Sequence, residues 1–190
     1  MDPRMSPAEI APGAAAPAPL VYDDAAMRGL LGRVKTIALV GASAKPVRPS
    51  YFVLKYLLAK GYRVIPVNPG LAGQDLLGQR CHADLASIPE PVDMVDIFRS
   101  ADAVPGIVEE ALGMDPRPSV IWMQLGIRND VAARTAEAEG LTVVMDRCPK
   151  IEYARLSGEI GWNGVNSRVL SSKKPAMGKG FQSYGLNRAK

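Results

Sequence analysis

The stretch from Thr36 to Lys60 limits the fold more than any other part of the chain. It opens with Thr36-Ile-Ala-Leu-Val-Gly-Ala-Ser43, a short apolar run with β-branched residues that stops at a glycine. Such a run suits a strand buried on both faces of a parallel sheet. It closes with Ser50 to Lys60, free of Gly and Pro, with Ser50 expected as the N-cap of a helix and Gly61 just past its end. Between them lies a small, polar turn, Ala44-Lys-Pro-Val-Arg-Pro49. A strand, a glycine turn and a helix N-terminus together make a phosphate site. The backbone can approach the ligand there, and the first helical turn offers unpaired N–H groups and partial positive charge. An ordinary strand-to-helix turn without a ligand is the alternative.

The same alternation continues along the chain. Tyr22 to Gly32 reads as a short helix with Ala26, Met27, Leu30 and Leu31 on its apolar face. Tyr62 to Asn68 is a second strand, which Pro66 pushes toward an edge. Leu71 to Arg80 reads as a loop, and Asp84 to Ile88 as a single helical turn. Val92 to Phe98 is a third strand. Ser100 or Asp102 then caps a helix to Leu112, with Pro105 in its first turn. Ser119 to Leu125 is a fourth strand, and Asn129 caps a helix that Gly140 closes. Leu141 to Asp146 is a fifth strand; Lys150 and Glu152 lie just beyond it at the same rim, and their charges could equally be the solvated start of a last helix. Strands alternating with helices imply parallel βαβ units. The expected fold is α/β, a Rossmann-like three-layer sandwich on a mainly parallel sheet of about five strands. Each strand ends in small or polar residues, and in such a sheet those carboxyl ends line one crevice where ligands bind.

Composition narrows the function classes. The apolar fraction is 47% and the charged fraction 22%, enough for a full core in a chain of 190 residues. Residues 1–20, rich in Ala and Pro, are expected to form a disordered arm, residues 21–156 the domain, and 157–190 a basic, partly disordered tail. The net charge of +4 comes from that tail. Glu159 is the last acid, and six basic residues follow it, leaving 17 basic against 19 acidic residues elsewhere. The tail could touch nucleic acid or a membrane surface, but a solvated terminus is the favoured reading, so neither a nucleic-acid nor a membrane partner is expected. No apolar run approaches membrane-spanning length, and no signal peptide is visible. Cys81 and Cys148 are too few for a disulfide framework, so a reducing cytoplasm is expected. His82 is the single histidine, which excludes a two-histidine metal site and weakens any histidine-based triad. We read it as a surface residue.

A dinucleotide site would need G-x-G-x-x-G and an acid at the end of the second strand. The turn here has one glycine, Gly41, and the second strand ends in Asn68-Pro69. Both departures count against an NAD(P)-linked oxidoreductase, which stays as the second reading. Lys45 and Arg48 beside the turn would suit a ligand with more phosphate charge; plain solvated cations are the other reading.

The stretches Val40-Gly-Ala-Ser43, Arg48-Pro-Ser-Tyr51, Gly61 to Pro69, Leu77-Gly78, Val92 to Arg99, Ile121 to Gly126 and Val144 to Lys150 together carry a resemblance. The chain resembles the small bacterial CoA-binding proteins, whose domain is similar to the N-terminal CoA-binding domain of the succinyl-CoA synthetase α subunit. The resemblance implies coenzyme A or an acyl-CoA as ligand and roles residue by residue. Gly41, Ala42 and Ser43 would meet the diphosphate through N–H groups and the Ser43 hydroxyl, with Arg48 and Ser50 helping at the helix end. Asn68 and Pro69 would border the adenosine. Phe98 and Arg99 would lie along the cofactor, and Met123, Gln124 and Gly126 would line the pantetheine side. The synthetase's phosphorylated histidine has no match, since His82 lies in a loop, so the implied role is a non-catalytic or regulatory binding protein, with a homo-oligomer possible. Cys148, at the same rim, could meet the CoA thiol and form a mixed disulfide; an inert buried thiol is the alternative. Trp122, Tyr51, Tyr56 and Phe52 read as core.

Overall fold

The computed structural model describes residues 19–158. The expected arm and tail lie outside the described residues, apart from 19–20 and 157–158. Five parallel strands form the main sheet: β1 (Thr36–Val40), β2 (Arg63–Val67), β5 (Met94–Ile97), β6 (Val120–Met123) and β7 (Thr142–Val144). They lie in the order β2-β1-β5-β6-β7. Helices α1 (Asp24–Arg33), α2 (Pro49–Ala59) and α5 (Pro149–Leu156) cover one face, while α3 (Val104–Leu112) and α4 (Asp130–Ala138) cover the other.

The strand sequences dictate this sandwich. In β1, Ile37 and Leu39 point into the core under α1, α2 and α5, and Ala38 points into the other core. In β6, Val120 and Trp122 alternate in the same way with Ile121 and Met123. A strand apolar at every position must be covered on both faces. Trp122 is core, as expected, and its Nε1–H donates to Arg147 O at 2.7 Å. The edge position expected for the second strand holds. Pro66, which has no N–H, sits in edge strand β2 opposite Leu39 of β1. His82 shields that edge: its N–H donates to Pro66 O at 2.9 Å and its carbonyl accepts from Asn68 N at 2.8 Å. The histidine is half-buried, with Nδ1 2.9 Å from Ser87 O, and its work here is structural.

The expected Asn129 cap of α4 is present, and Asp23 caps α1. Asp23 accepts from Ala26 N at 2.8 Å and Asn129 from Ala132 N at 2.9 Å. Four expectations are corrected. Pro49, not Ser50, opens α2, because its fixed φ suits the first helical turn and it has no N–H to leave unpaired. Ser50 is consequently buried inside the first turn. Residues 71–80 include a two-stranded hairpin, β3 (Asp75–Leu76) and β4 (Gln79–Arg80), turned through Leu77 and Gly78, both at positive φ. Asp84 to Ile88 is an irregular turn without helix; the Asp84 and Ser87 side chains bond the local backbone there and compete with helical bonding. Glu152 is buried in α5, not solvated, and pairs with Arg155 at 2.7 Å. Among the described residues no helix is long and apolar enough to cross a membrane.

Candidate functional site

The chain passes from β1 to β2 on one side of the sheet, then returns to lay β5 on the other side of β1. The connections therefore leave the carboxyl ends of β1 and β5 in opposite directions and open a crevice between them. Gly41 turns the chain out of β1 at φ 92°. A Cβ there would lie 2.8 Å from Phe98 O and 3.2 Å from the Arg99 side chain, so only glycine allows this turn to seat against the end of β5.

The turn is pinned from the β2 side. Gly41 N–H and Ala42 N–H both donate to Val67 O, at 2.9 and 3.2 Å. Asn68 Nδ2 donates to Ala42 O at 2.7 Å, and Asn68 Oδ1 accepts from Gly70 N at 2.9 Å. Ser43 Oγ accepts from Lys45 N at 3.2 Å. Two of the three N–H groups expected to face a diphosphate are therefore spent on Val67. Among the described residues, the N–H groups of Ser43, Ala44 and Ser50 have no acceptor. The donor set thus lies one residue further along, at the end of the turn and the start of α2.

Two hollows flank the Gly41–Phe98 contact. One, about 250 Å³, is lined by Gly41, Asn68, Pro69, Asp84, Arg99 and Glu110 among others. Its acids are locally engaged: Asp84 Oδ1 accepts from Ser87 N at 2.8 Å and Glu110 Oε1 from Ala86 N at 3.3 Å. The other, about 390 Å³, is a largely apolar cleft between α2, α5 and the ends of β5 and β6. Phe52, Val53, Phe98, Leu125, Ile127 and Ile151 form most of its wall, and Gln124, Cys148 and Lys150 supply the polar atoms. Phe52, expected in the core, is half exposed at its mouth. A larger groove, about 540 Å³, runs from Glu110 along the Leu85–Pro91 segment and Gly113–Pro116, and holds none of the expected site residues.

Beneath the apolar cleft sits a group that sequence reading missed. Asp96 of β5 is fully buried, and Gln124 Nε2 donates to both its oxygens, at 2.8 and 3.1 Å. Burial pushes its carboxyl up to about 8, against the pull of that hydrogen bond. An acid inside the otherwise apolar run Met94-Val-Asp-Ile-Phe98 is the available signal. Burial also raises the Cys148 thiol. Both groups are held in their neutral forms at neutral pH.

The crevice thus gathers Gly41, Ala42, Ser43, Asn68, Pro69, Phe98, Arg99 and Gln124. Lys45 and Arg48 are exposed on the turn and line neither hollow. Met123 is a correction: it is fully buried on the sheet face under α3 and α4, because β6 alternates and Gln124 alone turns toward the cleft. Gly126 sits at φ 74° just past β6, its N–H donating to Asp146 Oδ1 at 2.7 Å, and shapes the loop that carries Leu125.

The sequence pattern described as CoA binding domain matches residues 35–154, which span every strand of the sheet and both hollows. The chain belongs to this family. It is 38% identical to the uncharacterized Bacillus subtilis protein YneT over 130 residues, covering 68% of this chain and 93% of that one. It is 29% identical over 147 residues to the acetate–CoA ligase (ADP-forming) I of Archaeoglobus fulgidus, covering 73% of this chain but 21% of the ligase. A solved structure from Thermus thermophilus superposes with a TM-score of 0.67 at 40% identity, covering 71% of this chain and 99% of that one. This family membership agrees with the resemblance drawn from the motifs.

Proposed function

We propose that the protein binds coenzyme A or an acyl-CoA in the crevice at the strand ends, as a non-catalytic or regulatory binding protein. The observation that carries this reading is the Gly41 turn, seated on Phe98 O at a distance that excludes any side chain. The turn carries the acceptor-free N–H groups of Ser43 and Ala44 and meets the Arg99 side chain, between a polar hollow and an apolar cleft. A diphosphate is recognised by such fixed donors and one cation. The adenosine and its 3′-phosphate go to the polar hollow, with the phosphate toward Arg99 and the hydroxyl and amino donors toward Asp84 and Glu110. The pantetheine passes Phe98 toward Gln124.

The non-catalytic role is supported by chemistry. The acid and the thiol nearest the cleft, Asp96 and Cys148, are both held neutral by burial. Asp96 is moreover closed off beneath Gln124, which bonds both its oxygens, and the raised Cys148 thiol carries little of the nucleophilic thiolate. The NAD(P) reading loses its ribose acid to Asn68, whose amide is used on both ends to hold the turn. Calorimetric titration of the full chain with CoA, and with NAD as control, tests the proposal. CoA binding at micromolar strength that weakens in Arg99→Ala is the expected result. Binding of NAD and not CoA overturns it.

A further inference from the structure

Gln124 is 5% exposed, and only one end of its side-chain amide has a partner. Its Nε2 donates to both oxygens of Asp96, at 2.8 and 3.1 Å. Its Oε1 accepts from no donor among the described residues. A buried amide oxygen without a donor is costly, and the fold leaves this one in the wall of the cleft beside Phe98. The rest of that wall gives it little competition. Lys150 Nζ is drawn over the Tyr56 ring, 5.7 Å from its centre, and the Cys148 thiol is a weak hydrogen-bonding group. The residue behind Gln124 is equally unusual. Asp96 stands in β5 opposite Leu39 of β1 and Trp122 of β6, fully buried among apolar side chains. A carboxyl there costs stability that an apolar residue of its size avoids. Its side chain has one hydrogen-bonding partner among the described residues, the Gln124 amide. By taking the Nε2 end, Asp96 turns the oxygen end of that amide outward.

We infer that Gln124 Oε1 accepts an amide N–H of the pantetheine arm, and that Asp96 is the positioning residue that holds Gln124 for this contact. The inference rests on the CoA reading above and adds to it the group that recognises the arm. The arm carries two secondary amides, whose N–H groups need acceptors in a cleft walled mostly by hydrocarbon. It reaches Gln124 from the phosphate turn, because Phe98 walls both the turn and the cleft. Asp96 itself lies beneath Gln124 and acts only through it.

The test is calorimetric titration of the full chain with CoA and with adenosine 3′,5′-bisphosphate, which keeps the nucleotide end and lacks the arm. Gln124→Met keeps the length of the side chain and removes the acceptor. It should lower CoA affinity about two- to tenfold and leave the bisphosphate unchanged. Asp96→Asn keeps the shape of the carboxyl but lets either end of the Gln124 amide face it. About half of the molecules then present the oxygen, so CoA affinity should fall about twofold. In the Gln124→Met background the same exchange should cost nothing further, which marks a residue acting through Gln124. The thermal melt checks folding, and bisphosphate binding reports an intact turn in each variant. Undiminished CoA affinity in Gln124→Met overturns the inference and leaves the CoA reading standing. Equal losses for both ligands also overturn it, because the variant then acts on the fold and not on the arm. An Asp96→Asn loss that is absent, or that persists in the Gln124→Met background, overturns the role of Asp96. Failure of the wild type to bind either ligand overturns both readings together.

Discussion

The two hollows on either side of Gly41 are built on opposite principles. The polar one is walled by atoms whose partners are already fixed: Asn68 is bonded at both ends of its amide, and Glu110 and Asp84 each hold local N–H groups. The apolar one is walled by side chains that touch water, with Phe52, Leu125 and Ile151 at its mouth. Fixed dipoles select a ligand by the position of its charges, whereas exposed apolar walls select by buried area and tolerate many shapes. One crevice can thereby be strict about the nucleotide end of a ligand and permissive about the other. Gly41 and Phe98 form the seam between the two regimes.

The largest expected effect lies under the apolar side. Asp96 has a raised pKa in the folded protein, about 8 against an ordinary 3.8. Its contribution to stability is fully present below pH 4 and is lost as pH rises toward 8, because over that range the unfolded chain ionises this carboxyl while the folded state keeps it protonated. The change across that window is on the order of 3–5 kcal/mol. Urea unfolding followed from pH 4 to pH 8 should show the fall in wild type, and Asp96→Asn should remove most of it. An unchanged slope in the variant would mean that other groups carry the pH dependence. Next comes the seam. Gly41→Ala forces a side chain into φ 92° and toward a carbonyl 2.8 Å away, and should cost about 2–3 kcal/mol of stability. It should also weaken CoA in the titration. CoA affinity unchanged in the variant would break the idea of a seam.

The sequence reading was most accurate where local chemistry and global fold agreed. Five strand ends, the Asn129 cap, the edge position of Pro66 and the glycine after β1 were all legible, because period, caps and punctuation decide them locally. The failures have particular causes. Ser50 looks like a cap in isolation, but Pro49 before it occupies the first helical turn and draws Ser50 inside. Met123 and Gln124 are neighbours in sequence, yet the twofold alternation of a strand sends one to the α3 face and the other to the cleft. Phe52 reads as core by its type, and only the packing of α2 against α5 shows which of its faces is left open. The N–H groups of Gly41 and Ala42 look free along the sequence, and only the folded sheet sets Val67 O against them. Pairing across the sheet edge is not written in any local window.

Arg99→Ala sharpens the comparison on the polar side. Its guanidinium lines that hollow, and charged hydrogen bonds of this kind are worth about 1.5–3 kcal/mol, or roughly tenfold to a hundredfold in affinity. The loss should appear in the titration with CoA. Unchanged affinity would mean that the polar hollow does not take the charged end of the ligand.

The smallest expected effect is the most discriminating between ligands. Asn68→Asp installs at the end of β2 the acid that an NAD site would carry. In this structure the position is already committed: the amide nitrogen donates to Ala42 O at 2.7 Å, and a carboxylate would turn an oxygen on that carbonyl. The other oxygen would still accept from Gly70 N. The exchange should therefore cost about 1–2 kcal/mol of stability and loosen the turn, lowering CoA affinity a few-fold. It should bring no NAD binding. A variant that kept wild-type stability and bound NAD would show that Asn68 stands where a ribose hydroxyl lies, and that the turn needs no staple from β2. With the staple confirmed, the asparagine is explained by the shape of the phosphate turn alone, and the choice of nucleotide falls to Arg99, Asp84 and Glu110.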